Sequence, residues 1–89
     1  MRRPYLEVTF RGGKAFAAYL YLPRAAGAKV ARTAEARPGL LVDYDVTGLP
    51  MGIEMTSPRS TEAATVNAVL AELGLATLDP IELAPLRAA

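Results

Sequence analysis

Cysteine, histidine and tryptophan are all missing from these 89 residues. Without cysteine there is neither a disulfide framework nor a thiolate site. Without histidine the usual neutral-pH proton shuttle and the commonest metal ligand are gone as well. Most enzyme mechanisms are excluded on that ground, and the chain reads as a non-enzyme that needs no cofactor. Long apolar runs are missing too. The longest, Ala15 to Leu22, falls far short of the ~20 residues that span a bilayer, so no membrane association is expected and the expected location is the cytoplasm. A secretory leader would need Arg2-Arg3 before this run and Ala26-Gly27-Ala28 as the cleavage site. Glu7 in the would-be basic region and the strand-like alternation of Tyr19 and Tyr21 argue against it.

What is present is a single small domain, residues 1–89, in which 52% of residues are hydrophobic. So small a core cannot absorb that much apolar surface, and the simplest cover for the surplus is a second copy, so a homodimer is expected. The formal net charge is only +1, yet it is unevenly distributed. Residues 1–37 carry eight basic and two acidic side chains, 8 − 2 = +6, and residues 38–89 carry two basic and seven acidic, 2 − 7 = −5. The plain reading pairs basic strands with acidic ones in one sheet. The alternative is a basic face for an acidic partner.

The most informative stretch is Gly39 to Met55, two strands joined by a turn at Thr47-Gly48. Leu40, Val42 and Tyr44, then Met51, Ile53 and Met55, alternate with polar or small residues, the period of a sheet buried on one face. The pattern predicts pairing of Tyr44 with Met51, Val42 with Ile53 and Leu40 with Met55. A slip of one residue would bring the acids onto the core side.

Upstream, Tyr5 to Phe10 alternates in the same way, and Gly12-Gly13 supplies a tight turn. Gly12-Gly13-Lys14 is only superficially a phosphate cradle, since its spacing is not that of a P-loop. The second strand, Lys14 to Leu22, is apolar on both faces: Phe16, Ala18, Leu20 and Leu22 on one, Ala15, Ala17, Tyr19 and Tyr21 on the other. One face expects a helix and the other a partner. Lys29 to Arg37 reads as a half-exposed third strand.

After Ser57-Pro58, Ser60 or Thr61 is placed to cap a helix over about 61–73, with Glu62 in its first turn. Val66, Val69, Leu70 and Leu73 form its apolar stripe, and Gly74 its stop. Asp79-Pro80 opens a short C-terminal helix through Leu83 that Pro85 limits. The expected fold is therefore α+β, an antiparallel sheet of about five strands with the main helix packed on one face.

The string Gly39, Val42, Asp43, Tyr44, Asp45, Gly48, Gly52, Ile53, Glu54 resembles the hairpin of a bacterial family catalogued as a domain of unknown function (2283). The resemblance implies a small sheet-plus-helix domain of bacterial origin. By analogy with relatives encoded beside small toxin-like genes, it also implies an antitoxin-like role with a toxin-like protein partner. Relatives usually carry an acid just before the aromatic strand, whereas no acid lies between Arg11 and Leu22 here.

Two sets of residues are candidate sites. Asp43, Asp45 and Glu54 are oxygen donors that could hold Mg²⁺ or Ca²⁺. Acids flanking a glycine turn are, however, expected to bond turn N–H groups, so no metal site is assigned. Tyr19 and Tyr21, with Ala17 and Ala15, are expected to form a partner interface, since tyrosine suits a half-wet contact. The alternative is stacking of nucleic-acid bases beside Arg2, Arg3, Arg11, Lys14 and Arg32. No helix-turn-helix, zinc or aromatic RNA-binding signature supports it.

Overall fold

In the computed structural model, which describes residues 3–87, five strands form one antiparallel sheet. They are β1 (Tyr5–Arg11), β2 (Lys14–Tyr21), β3 (Arg32–Arg37), β4 (Leu40–Tyr44) and β5 (Pro50–Met55), in the spatial order β1-β2-β5-β4-β3. The two hairpins β1–β2 and β4–β5 therefore meet where β5 inserts beside β2. Gly12 and Gly13 close the first hairpin at φ 59° and 77°, a left-handed pair that glycine adopts without strain.

The hydrophobic period fixes two of the three predicted pairs of the second hairpin. Val42 faces Ile53 and Leu40 faces Met55, whereas Tyr44 pairs with Pro50 rather than Met51, because the ladder shifts by one residue after Asp43 and Gly52. Met51 is the extra residue of that bulge and is still buried. A second bulge overturns part of the reading of β2. Thr9 faces Ala17 but Phe10 faces Ala15, so Phe16 is unpaired and the alternation flips there. Ala15 is consequently buried, at 6% exposure, and Phe16 is turned out, at 50%.

One helix, α1 (Ala63–Glu72), and a C-terminal 3-10 segment (Pro80–Arg87) cover a single face of the sheet. Leu20, Val42, Ile53 and Met55 from the strands meet Val66, Val69 and Leu70 from α1 and Leu83 and Leu86 from the C-terminal segment. The predicted stripe is the one that buries, with Leu73 at its edge. The helix does not start at the expected cap. Ser60 and Thr61 instead bond back to the Ser57 carbonyl, which closes a 3-10 turn over Pro58–Ser60, and Glu62 becomes the flanking residue. Its end follows expectation. Gly74, at φ 74°, donates to the Ala71 carbonyl at 3.0 Å and Leu75 donates to that of Leu70 at 2.9 Å, a Schellman closure.

Asn67, off the buried stripe, has a structural task. Its amide donates to the Leu78 carbonyl at 2.9 Å and accepts from the Leu78 N–H at 2.8 Å, so it pins the returning chain to the helix. The Asp79 carboxylate then accepts from the Ile81 N–H, and Glu82 accepts from the Asp79 N–H, a reciprocal cap for the last segment. Of the charged residues, Arg37 forms a two-pronged pair with Glu72 and Arg3 pairs with Glu82 at 3.5 Å. Strands of the basic half do pair with strands of the acidic half, β2 with β5 and β3 with β4, but the ion pairs among the described residues join the basic half to the helical layer and not strand to strand. No helix among the described residues is long and apolar enough to cross a membrane.

Candidate interaction face

The helical layer leaves the opposite face of the sheet open, and the strand registers define its rows. One row runs Tyr5, Tyr21, Gly52, Asp43, Thr33 across all five strands, and the next runs Glu7, Tyr19, Glu54, Leu41, Glu35. Neither row contains a lysine or arginine.

Three tyrosines occupy one side of this face. Tyr5 and Tyr21 stack with ring centroids 4.6 Å apart at 15°, and Tyr19 meets Tyr21 edge-on at 4.7 Å and 64°. Tyr21 donates its hydroxyl hydrogen bond to Glu7 at 3.2 Å, and the Arg24 guanidinium lies 5.2 Å above the Tyr21 ring. Tyr5 is the most open of the three, 52% exposed.

Tyr19 crosses the neighbouring strand. Its ring lies over Gly52 of β5, where a methyl group would overlap it, and its hydroxyl donates to Asp43 of β4 at 2.7 Å. Asp43 also accepts from the Thr33 hydroxyl of β3. The network therefore ties β2, β4 and β3 together across the top of β5. Burial of the Tyr19 phenol and, after it, the bond to Asp43 raise its pKa far above the ordinary phenol value. Tyr21 is raised too, first by desolvation and then by Glu7.

The structure thus brings Tyr19, Tyr21 and Ala17 of the expected interface onto one face and removes Ala15 from it, since the Phe16 bulge sends Ala15 to the buried side. Three residues that the sequence reading left off the interface join the face: Tyr5, the seat at Gly52 and Asp43. A glycine inside a strand is the available signal for such a seat, because it marks close approach by another group. Asp43 and Gly52 both belong to the hairpin string that carried the family resemblance.

The other two acids of that string do different work. Asp45 takes hydrogen bonds from the Thr47 N–H at 2.8 Å, the Thr47 hydroxyl at 2.6 Å and the Leu49 N–H at 3.0 Å. The Thr47 hydroxyl, then the Leu49 N–H, lower its pKa below the usual carboxylate range. This is the turn-bonding role expected of it. Glu54 stands between Tyr19 and Leu41 on the open face. Among the described residues, no three acids converge on a common point where a metal could sit, and no pocket opens.

Three of the cations that a nucleic-acid surface would gather near the tyrosines are engaged elsewhere, and Lys14 pairs with Arg11 at the end of the first hairpin. Arg11 lies 4.1 Å over the Phe16 ring at the hairpin tip, Arg32 lies 4.1 Å over Tyr44, and Arg3 pairs with Glu82. Arg2 lies outside the described residues. No family model, curated protein or solved structure matches the chain.

Proposed function

We propose that this chain is a non-enzymatic protein-interaction module, acting in the cytoplasm, whose contact surface is the open sheet face around Tyr5, Tyr19 and Tyr21. The observation that carries the reading is the asymmetry of cover. One side of the sheet is packed under α1 and the C-terminal segment, while the other presents three rings held in fixed positions, Tyr5 half exposed and Tyr19 and Tyr21 partly buried. A ring that is already ordered loses little side-chain entropy when a partner binds, which is why preorganised tyrosines suit interfaces.

The face is a better candidate than the sheet edges. β3, one of the two edge strands, alternates charged residues with alanine and bulges between Glu35 and Arg37, features that discourage a second strand from adding on. Acids rather than bases surround the tyrosines, which favours protein over the phosphate backbone of nucleic acid.

Two occupants are in play: a second copy, as apolar composition led us to expect, and a different protein, such as the toxin-like partner implied by the resemblance. Sedimentation from micromolar to millimolar concentration, on the natural chain and on Tyr5→Glu, tests the reading. Association lost in the variant makes the second copy an occupant, and a natural chain that stays monomeric makes the occupant a different protein. Equal association in both chains places the contact elsewhere and overturns the open-face reading.

A further inference from the structure

Resting on that reading of the open face, we infer that its occupant is an arginine-bearing segment of another protein. Four carboxylates, Glu7, Glu35, Asp43 and Glu54, lie in the two central rows with no strand cation among them. Asp43 is satisfied by Tyr19 and Thr33, and Glu7 by Tyr21. The side chains of Glu35 and Glu54 make no hydrogen bond or ion pair with any described residue. Their charge is available to a ligand.

The rings beside them choose the kind of cation. A guanidinium is flat and weakly hydrated, so it stacks on an aromatic face while its N–H edge reaches a carboxylate. The chain already uses this geometry internally, with Arg24 over Tyr21, Arg11 over Phe16 and Arg32 over Tyr44. Tyr5, stacked on Tyr21 and more than half exposed, offers the same surface to an outside arginine, with Glu7 next along its own face of β1.

Two further considerations separate the candidates. In a two-fold pairing the same patch meets itself, so a second copy seated on this face would set four carboxylates against four, with no cation inside the two central rows to offset them. And because the whole chain carries a net charge of only +1, a cationic peptide gains nothing from the overall field. Its binding must be local.

The test titrates the full chain with an oligo-arginine peptide, an oligo-lysine peptide of equal length and an oligo-glutamate peptide. It is read by amide chemical shifts and by tyrosine emission, which in a chain with four tyrosines and no tryptophan reports largely on this face. The expected result is arginine binding about three- to tenfold tighter than lysine, weakening with salt, and no glutamate binding. Tyr5→Ser and Glu54→Gln should each weaken arginine binding by a similar factor, with the far-ultraviolet circular dichroism unchanged.

Equal affinity for the two cationic peptides, or none for either, overturns the arginine assignment. If that happens while Tyr5→Glu still abolishes self-association, the face stands and only its partner chemistry falls. Oligo-arginine that binds Tyr5→Ser and Glu54→Gln as tightly as the natural chain, with shifts clustered near Asp79 and Glu82, overturns the open-face reading along with the inference.

Discussion

The two faces of this sheet are built from alternate residues of the same strands, yet they are held in different ways. On the covered face Leu20, Ile53 and Met55 are wholly buried, and their order comes from packing against α1 and the C-terminal segment. Among the described residues nothing is layered over the open face, and its order comes from directed contacts: a tyrosine over a glycine, hydroxyls on carboxylates, rings on rings. β5 shows the contrast within six residues, with Ile53 and Met55 directed to the core and Gly52 and Glu54 to the other side. Packing is strong and indifferent to orientation, whereas directed polar contacts are individually weak and fix geometry. The first suits stability, and the second suits a surface that must present groups in set positions to a ligand.

The largest difference between the faces should appear on truncation. Ile53→Ala leaves a cavity under α1 and is expected to cost about 2–5 kcal/mol in urea unfolding, with an unchanged slope against denaturant. A loss below 1 kcal/mol would mean that the helical layer is not the main support of the sheet.

On the open face the corresponding break is an addition. Gly52→Val is expected to cost about 1–3 kcal/mol, because the new side chain displaces the Tyr19 ring and with it the bond to Asp43. The displaced atoms are the far end of a side chain that can swing clear, which sets the cost below that of the core cavity. In Tyr19→Ala the same Gly52→Val change should cost much less, and two equal costs would show that the ring is not what the valine meets.

How much of each face could be read from the sequence follows the same division. The covered face was legible, since Val42, Ile53, Leu40 and Met55 announce their side by period two, and Val66, Val69 and Leu70 by period 3.6. The bulges at Phe16 and Met51 were not. A single extra residue leaves the composition of a strand unchanged while reversing which side every later residue faces. The open face depends on β5 lying beside β2, a pairing between segments some thirty residues apart. Tyr19 and Tyr21 could be named as surface residues from their alternation. That Tyr19 would rest on Gly52 and reach Asp43 could not, because no local pattern encodes which strands become neighbours. The start of α1 was missed for a nearer reason, as the Ser60 and Thr61 hydroxyls found the Ser57 carbonyl before they could cap the helix.

A smaller effect, confined to the polar side, comes from pH. The Tyr19 pKa is raised in the folded chain, so its contribution is complete below about pH 10, the unfolded phenol value, and is lost as pH climbs toward the folded one. Asp45 runs the other way. Its folded pKa is lowered, so its contribution is present above about pH 4 and is lost as pH falls through the folded value. Thermal midpoints should therefore fall at both extremes, with the alkaline fall shallower in Tyr19→Phe and the acid fall shallower in Asp45→Asn. A spectrophotometric titration should find one phenol ionising well after the others in the natural chain and none so delayed in the variant. Ile53→Ala, by contrast, should lower the whole curve without changing its shape.

The smallest expected change in stability is at Tyr5, where the effects on folding and on binding should separate most widely. This ring is half in water and contributes chiefly one stacking contact with Tyr21, so Tyr5→Ser is expected to cost less than about 1 kcal/mol. If the open face exists to be covered by a partner, the same substitution should weaken binding much more than it weakens folding. Denaturant midpoints and peptide affinities measured on one preparation give both numbers. A Tyr5→Ser chain that loses several kcal/mol of stability would show that the tyrosine row is a second core rather than a contact surface. The division between a face that stabilises and a face that binds would then disappear.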